Sequence, residues 1–232
     1  MKTNDYQNGV RDGIAVALGY FAVSFTFGMA SAADGLSVLQ AVLISLTNVT
    51  SAGQFSGLAI IAAGGTYIEI ALTQLVINLR YCLMSFSLAQ KLDRAAPHWH
   101  RYLMAYSVTD EIFALDASLD SALSPAYHYG ITSTAVPGWV LGTLAGAVSG
   151  NILPAFAISA LGVAIYGMFL AIIIPPARKN RTVLLVVLSA MGISFLFSVL
   201  PVLNKVTSGF VIIITTVVTA GIAAWLRPIE EA

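Results

Sequence analysis

Three groups of polar residues stand inside long apolar runs: Asn78 and Arg80, the patch Thr47-Asn48-Val49-Thr50-Ser51-Ala52-Gly53-Gln54-Phe55-Ser56-Gly57, and Thr109-Asp110-Glu111. A guanidinium offers planar paired donors that match a carboxylate, and amides, hydroxyls and open backbone N–H groups extend that donor set. Asp or Glu accepts from an ammonium. One cation, two carboxylates and several amides are what a site for a small zwitterion needs. The candidates for substrate contact are therefore Asn48, Ser51, Gly53, Gln54, Asn78, Arg80 and Thr109. Asp110 and Glu111 are candidates for an ion pair or for proton coupling. A carboxyl group held at low dielectric can exchange a proton, whereas one touching Arg80 would be kept ionised. On that ground Asp110, the shorter chain, reads as the partner of Arg80, and Glu111 as the carboxylate that stands apart.

Arg80 sits in the stretch Glu69–Lys91, eleven residues from each charged end. At about 1.5 Å per residue it lies roughly 16 Å from either end, near the midplane of a bilayer core about 30 Å thick. A charge there costs at least ~2.5 kcal/mol on insertion scales and should face protein, water or a ligand. Helical spacing places Glu69, Thr73, Arg80, Ser87 and Lys91 on one stripe, and Leu72, Val76, Leu79, Leu83 and Phe86 on the far side for lipid. A plainer reading stands beside the functional one: Arg80 pairs with a carboxylate on another helix and only holds the bundle together.

The patch 47–57 lies between apolar ends, Leu36–Leu46 and Leu58–Ala63. Hydroxyls, amides and glycines at mid-depth predict a discontinuous helix whose freed backbone lines a cavity. The alternative is a continuous helix packed through Gly53-x-x-x-Gly57. A fourth apolar segment, about Tyr102–Leu119, carries Asp110 and Glu111 near its centre. Adjacent helical residues point about 100° apart, so the two cannot share one target. Asp116 reads as wet, near the segment end.

Only 9% of the 232 residues are charged and 58% are hydrophobic. Soluble domains carry roughly 25% charged residues, so this composition describes a polytopic membrane protein in a lipid bilayer. Long continuous runs point to helices rather than a barrel. The expected fold is all-α: a single domain over 1–232 with seven to eight transmembrane helices, one of them discontinuous at 47–57. The further spans are expected near Gly13–Ala33, Ile131–Ser149, Pro154–Ile174, Thr182–Leu200 and Ser208–Leu226. The first of these reads as a retained span and not a cleaved leader. Gly138, Gly142, Gly146 and Gly150, four apart, form a close-packing ridge.

Eleven basic and eleven acidic residues balance, with no basic patch for nucleic acid. Cys82 alone permits no intrachain disulfide. His98 and His100 lie in a basic aromatic loop and read as interfacial anchors, so no metal site and no cofactor are expected. No H-E-x-x-H, G-x-S-x-G or nucleotide-binding motif occurs, and Ser and His are not placed together at depth in the sequence, so an enzyme is not expected.

Four segments fall in a familiar order: Gly19-Tyr20-Phe21-Ala22-Val23-Ser24-Phe25-Thr26-Phe27-Gly28, Ser51-Ala52-Gly53-Gln54-Phe55, Asn78-Leu79-Arg80-Tyr81, and Val108-Thr109-Asp110-Glu111-Ile112-Phe113-Ala114. Over residues 10–120 the chain resembles the AzlC family of branched-chain amino acid exporters, which includes the large subunit of the bacterial valine exporter. The resemblance implies efflux of branched-chain amino acids across a bacterial inner membrane, with a small membrane partner of the AzlD type. Two positions depart from the family pattern. Ala22 stands where Pro is usual, and Tyr81 stands where His is frequent after the arginine. The second departure removes a titratable group and any proton role there.

Overall fold

The computed structural model describes residues 3–150, 170, 173–174, 177–178, 180–201 and 203–226. The span expected near Pro154–Ile174 lies almost wholly outside the described residues, as do Pro175-Pro176 and Arg227-Pro228. Nine α-helices occur among the described residues: α1 Thr3–Ala33, α2 Val38–Thr47, α3 Ser51–Ala62, α4 Tyr67–Lys91, α5 His100–Ala105, α6 Asp110–Ser118, α7 Pro125–Gly150, α8 Arg181–Val199 and α9 Ser208–Leu226. A 3₁₀ turn, Leu203–Lys205, joins α8 to α9.

Five of these helices, α1, α4, α7, α8 and α9, are long and apolar enough to cross a membrane. Seven to eight crossings are not reached among the described residues. The expected fourth span is the clearest correction: Tyr102–Leu119 is two helices of 6 and 9 residues, α5 and α6. At about 1.5 Å per residue neither can cross a bilayer core.

The cause is local. Ser107, Val108 and Thr109 interrupt the helix with two side chains that compete for backbone groups and two that are β-branched. Thr109 then turns extended, φ −126° and ψ 173°, and its hydroxyl accepts from the Ile112 N–H at 3.4 Å to start α6. The break expected in 47–57 is present but shorter. Only Asn48, Val49 and Thr50 leave the helix, and Gly53 and Gly57 are both helical in α3. The Thr47 hydroxyl bonds the Leu43 carbonyl at 2.8 Å, and Asn48 closes α2. Thr50 opens α3 by accepting the Gly53 N–H at 3.4 Å.

Residue contacts divide the chain into two compact units, Met1–Gln54 with Asn78–Gly162, and Phe55–Ile77 with Val163–Ala232. In the first, α1 and α7 pack along their lengths. A Cβ on Gly138, Gly142 or Gly146 would come 2.6, 2.4 and 2.0 Å from the carbonyl oxygens of Ala17, Phe21 and Phe25. Both partners advance by four residues together, so the two helices run parallel, and the glycine ridge read from the sequence is their contact. At the other end of α7, the Asp93 N–H donates to the Leu123 carbonyl and the Leu123 N–H to the Lys91 carbonyl, each at 2.9 Å. Helix α4 thus ends where α7 begins. The buried core of this unit includes Tyr20, Leu88, Ile112, Ile131 and Trp139, together with both break valines, Val49 and Val108.

In the second unit α8 packs on α9. Glu69, the charged first end of the Arg80 stretch, is 2% exposed, and its carboxylate accepts the Gly209 N–H at 2.9 Å. The start of α9 supplies the donors and dipole that a buried carboxylate needs. On α4 the lipid side is as expected, with Leu72, Leu79, Leu83 and Phe86 all exposed.

Candidate functional site

Arg80 stands midway along α4, and its guanidinium reaches the first residue of α6. Arg80 Nη1 lies 2.6 Å from Asp110 Oδ2. Nη2 donates to the Tyr81 hydroxyl at 3.0 Å, and that hydroxyl donates to Thr50 Oγ1 at 3.2 Å. A continuous chain, Asp110–Arg80–Tyr81–Thr50, therefore ties the start of α6 to the cap of α3. The Arg80 and Asp110 side chains are 45% and 44% exposed.

Beside it, Tyr20 from α1 donates to Glu111 Oε2 at 2.8 Å and meets Thr109 Oγ1. The ring of Tyr20 stands edge-on to Trp139 of α7, centroids 5.2 Å apart. Asp110 and Glu111 thus diverge to different partners, as helical geometry requires. The positive ends of α3 and α6 both open at this level, and α6 carries its two carboxylates in its first turn. Donors, a fixed cation and carboxylates are gathered within a few residues of two helix starts. Such a surface can hold the carboxylate and the ammonium of one small molecule.

The two breaks share a local sequence, Asn48-Val49-Thr50 and Ser107-Val108-Thr109. In each the valine is buried in the core, the threonine caps the next helix, and a tyrosine hydroxyl meets that threonine. They also enter from opposite ends. His100, which opens α5, bonds Tyr129 near the start of α7, and the ammonium of Lys91 holds the Ala117 and Leu119 carbonyls where α6 ends. The α5–α6 segment therefore begins and ends at the level where α7 starts. The α2–α3 segment leaves the far end of α1 and, by way of residues 63–66, joins the far end of α4.

Of the residues read from the sequence, Arg80, Thr109, Asp110 and Glu111 are assembled. Gln54 is not: it is 2% exposed and donates to Ser45 Oγ at 2.8 Å, which in turn meets Thr143 at 2.6 Å. Asn48 closes α2, Ser51 begins α3, and Gly53 contributes its N–H to the cap. Asn78, two residues before Arg80, points to another side of α4. Sequence reasoning passed over Tyr20, Thr50 and Tyr81 as site residues, although the doubled Val-Thr signal marks Thr50. Two further readings are corrected. Asp116 is fully buried, and Ser107 lies 2.9 Å from His128 in the interior.

Residues 15–153 match the family model described as AzlC protein. An uncharacterized membrane protein of Archaeoglobus fulgidus is 28% identical over 196 residues, 84% of this chain and 86% of the relative. The inner membrane protein YgaZ of Escherichia coli K12 is 28% identical over 185 residues, 76% of this chain and 75% of the relative. An uncharacterized membrane protein of Helicobacter pylori is 25% identical over 141 residues, 60% of this chain and 61% of the relative. No solved structure matches.

Proposed function

The chain belongs to the AzlC family, and from that premise we propose that it exports branched-chain or similar apolar amino acids across a bacterial inner membrane as a secondary transporter. The observation that carries this reading is Arg80, held between two helix starts with Asp110 on its guanidinium. In the empty site Asp110 neutralises Arg80. A substrate carboxylate takes the guanidinium fork and the backbone donors of α3, and Asp110 and Glu111 then receive the ammonium. Glu111 is held by Tyr20 and not by Arg80 and is the carboxylate assigned to proton coupling in this reading. The working complex includes a small AzlD-like membrane subunit.

The test is export of labelled valine and leucine from proteoliposomes, with and without such a subunit, at zero and imposed ΔpH. Saturable flux that follows ΔpH is expected. Flux indifferent to ΔpH would indicate a facilitator instead. Absence of flux for any apolar amino acid, even with the subunit, would remove the substrate assignment.

The Arg80–Asp110 contact also favours a second reading, a non-transporting scaffold subunit in which the pair only joins α4 to α6. Under it, the double change Arg80→Gln/Asp110→Asn keeps full activity in the assembled complex. We expect the double change to abolish flux while the protein remains folded.

A further inference from the structure

Between Arg80 and the end of α4, two matching stripes of side chains line a groove. One is Ser85, Leu88 and Ala89 of α4, continued by Leu92 just past its end. The other is Arg101, Met104 and Ala105 of α5, continued by Val108 in the break. Each steps by three, four and seven residues, the spacing of a single helix face. The stripes do not close on each other, and a narrow groove stays open between them. Its floor is apolar, because Leu88, Leu92, Met104 and Val108 belong to the buried core. Its rim is low, because Ser85, Ala89 and Ala105 carry short side chains, and Ala105 is exposed.

The chain reverses between the stripes, so they run antiparallel. Leu92 and Arg101 stand at the outer end, at the level where α4 ends and α7 begins. Ser85 lies seven residues back along α4, about 10 Å deeper, with Val108 opposite it. Phe86, beside Ser85, and Tyr102 and Leu103, beside Arg101, are large exposed apolar side chains. Such a surface faces lipid tails and not water.

The outer end is cationic. Lys91, Arg94 and Arg101 stand there against one acid, Asp93. Lys91 is engaged by the Ala117 and Leu119 carbonyls, and Asp93 accepts the Ala95 N–H. Among the described residues Arg94 and Arg101 form no ion pair. Trp99, exposed and stacked on His100, suits the headgroup level. An apolar groove that ends in an uncompensated guanidinium complements an apolar chain with an anionic head.

We propose that the groove between α4 and α5 binds an anionic phospholipid of the bilayer, with one acyl chain on Leu88, Met104 and Val108 and the phosphate on Arg101. A partner helix would cover the apolar floor but leave the guanidinium without its anion. The inner end of the groove adjoins the candidate site: Val108 precedes Thr109, which caps α6, and stands two residues from Asp110, the partner of Arg80. The lipid fills the space between the two segments that carry the halves of that ion pair, and so braces the pair.

Binding stands on the groove alone; the bracing effect on flux rests on the export reading. The test is native mass spectrometry of the full chain released from nanodiscs of mixed phosphatidylglycerol and phosphatidylcholine. One phosphatidylglycerol per chain should stay bound, several-fold in preference to phosphatidylcholine. Arg101→Gln removes the anchor, and Ala105→Leu fills the groove without changing charge; each should bring the two lipids to parity. Arg181→Gln, which removes the same charge from the start of α8, should leave the preference intact. No preference in the parent chain overturns the proposal, and that result needs no variant to fold. A preference that survives Ala105→Leu in monodisperse protein places the lipid elsewhere and overturns it as well. A parental dimer that Ala105→Leu splits would assign the groove to a second copy of the chain instead. Export is then compared in liposomes with and without phosphatidylglycerol. The parent should lose flux several-fold without it, and Ala105→Leu should not respond. Equal parental flux in both compositions overturns the bracing role. Retained phosphatidylglycerol on a protein that moves no amino acid would keep the lipid site and reject the export reading.

Discussion

At the scale of single residues, the site depends on groups whose value lies in what they hold. Arg80 engages Asp110 with one nitrogen and Tyr81 with the other. Lys has a single point of charge and no planar fork, so Arg80→Lys should keep the charge but fail to restore export. Normal flux in that variant would count against carboxylate clamping. Tyr20→Phe removes the hydroxyl shared by Thr109 and Glu111, each bond worth about 0.5–1.5 kcal/mol net. We expect export to fall several-fold with unchanged yield of monodisperse protein; flux equal to the parent would show that Glu111 needs no anchor. The two charges were legible because a charge inside an apolar run has few explanations. Tyr20 and Tyr81 were not, because a tyrosine in such a run reads as apolar filling until its hydroxyl is seen to have a partner. Asp116 and His128 are twelve residues apart across a chain reversal, and helical periodicity cannot pair them.

At the scale of elements, the first break was legible because its polar residues lie together in 47–57. The second was hidden because Tyr102–Leu119 is apolar enough to read as one span, and three residues, Ser107-Val108-Thr109, decide otherwise. The glycine ridge was legible as a packing surface, but its partner was not, since spacing on one helix does not name the other. Now that α1 is known to fill it, the ridge makes a quantitative claim. A Cβ on Gly146 would lie 2.0 Å from the Phe25 carbonyl oxygen, a backbone atom that cannot swing aside. Gly146→Ala should cost about 1–3 kcal/mol through overpacking and lower the melting temperature in detergent. Gly19→Ala, on α1 with nothing within 4 Å of the added Cβ, is the control. It should leave stability unchanged or raise it by up to about 1 kcal/mol, because alanine is the better helix former. Equal losses at both positions would mean that the α1–α7 contact does not set the cost.

At the scale of the whole molecule, the direction of the helices constrains how the chain threads a membrane. Helices α1 and α7 run parallel, and α4 ends where α7 begins. With α1, α4 and α7 each crossing once, α2–α3 must return to the side it came from, and so must α5–α6. The two interrupted segments are then re-entrant from opposite faces and meet at Arg80. Sequence charges alone did not reveal this, since eight full crossings, or one re-entrant segment, divide the basic residues six to four. With two re-entrant segments, Arg11, Lys91, Arg94 and Arg101 of the first unit all fall on the side where α1 starts, and basic residues gathered on one side are what the positive-inside rule expects of an inserted chain. Replacing Cys82 with Ser and placing single cysteines at Asp34, Ala63, Arg94 and Ser121 tests the path with a membrane-impermeant thiol reagent. Asp34→Cys and Ala63→Cys should label from one face, and Arg94→Cys and Ser121→Cys from the other. Labelling of Asp34→Cys and Ala63→Cys from opposite faces would mean that α2–α3 crosses, and the convergence of two half-helices on Arg80 would have to be abandoned.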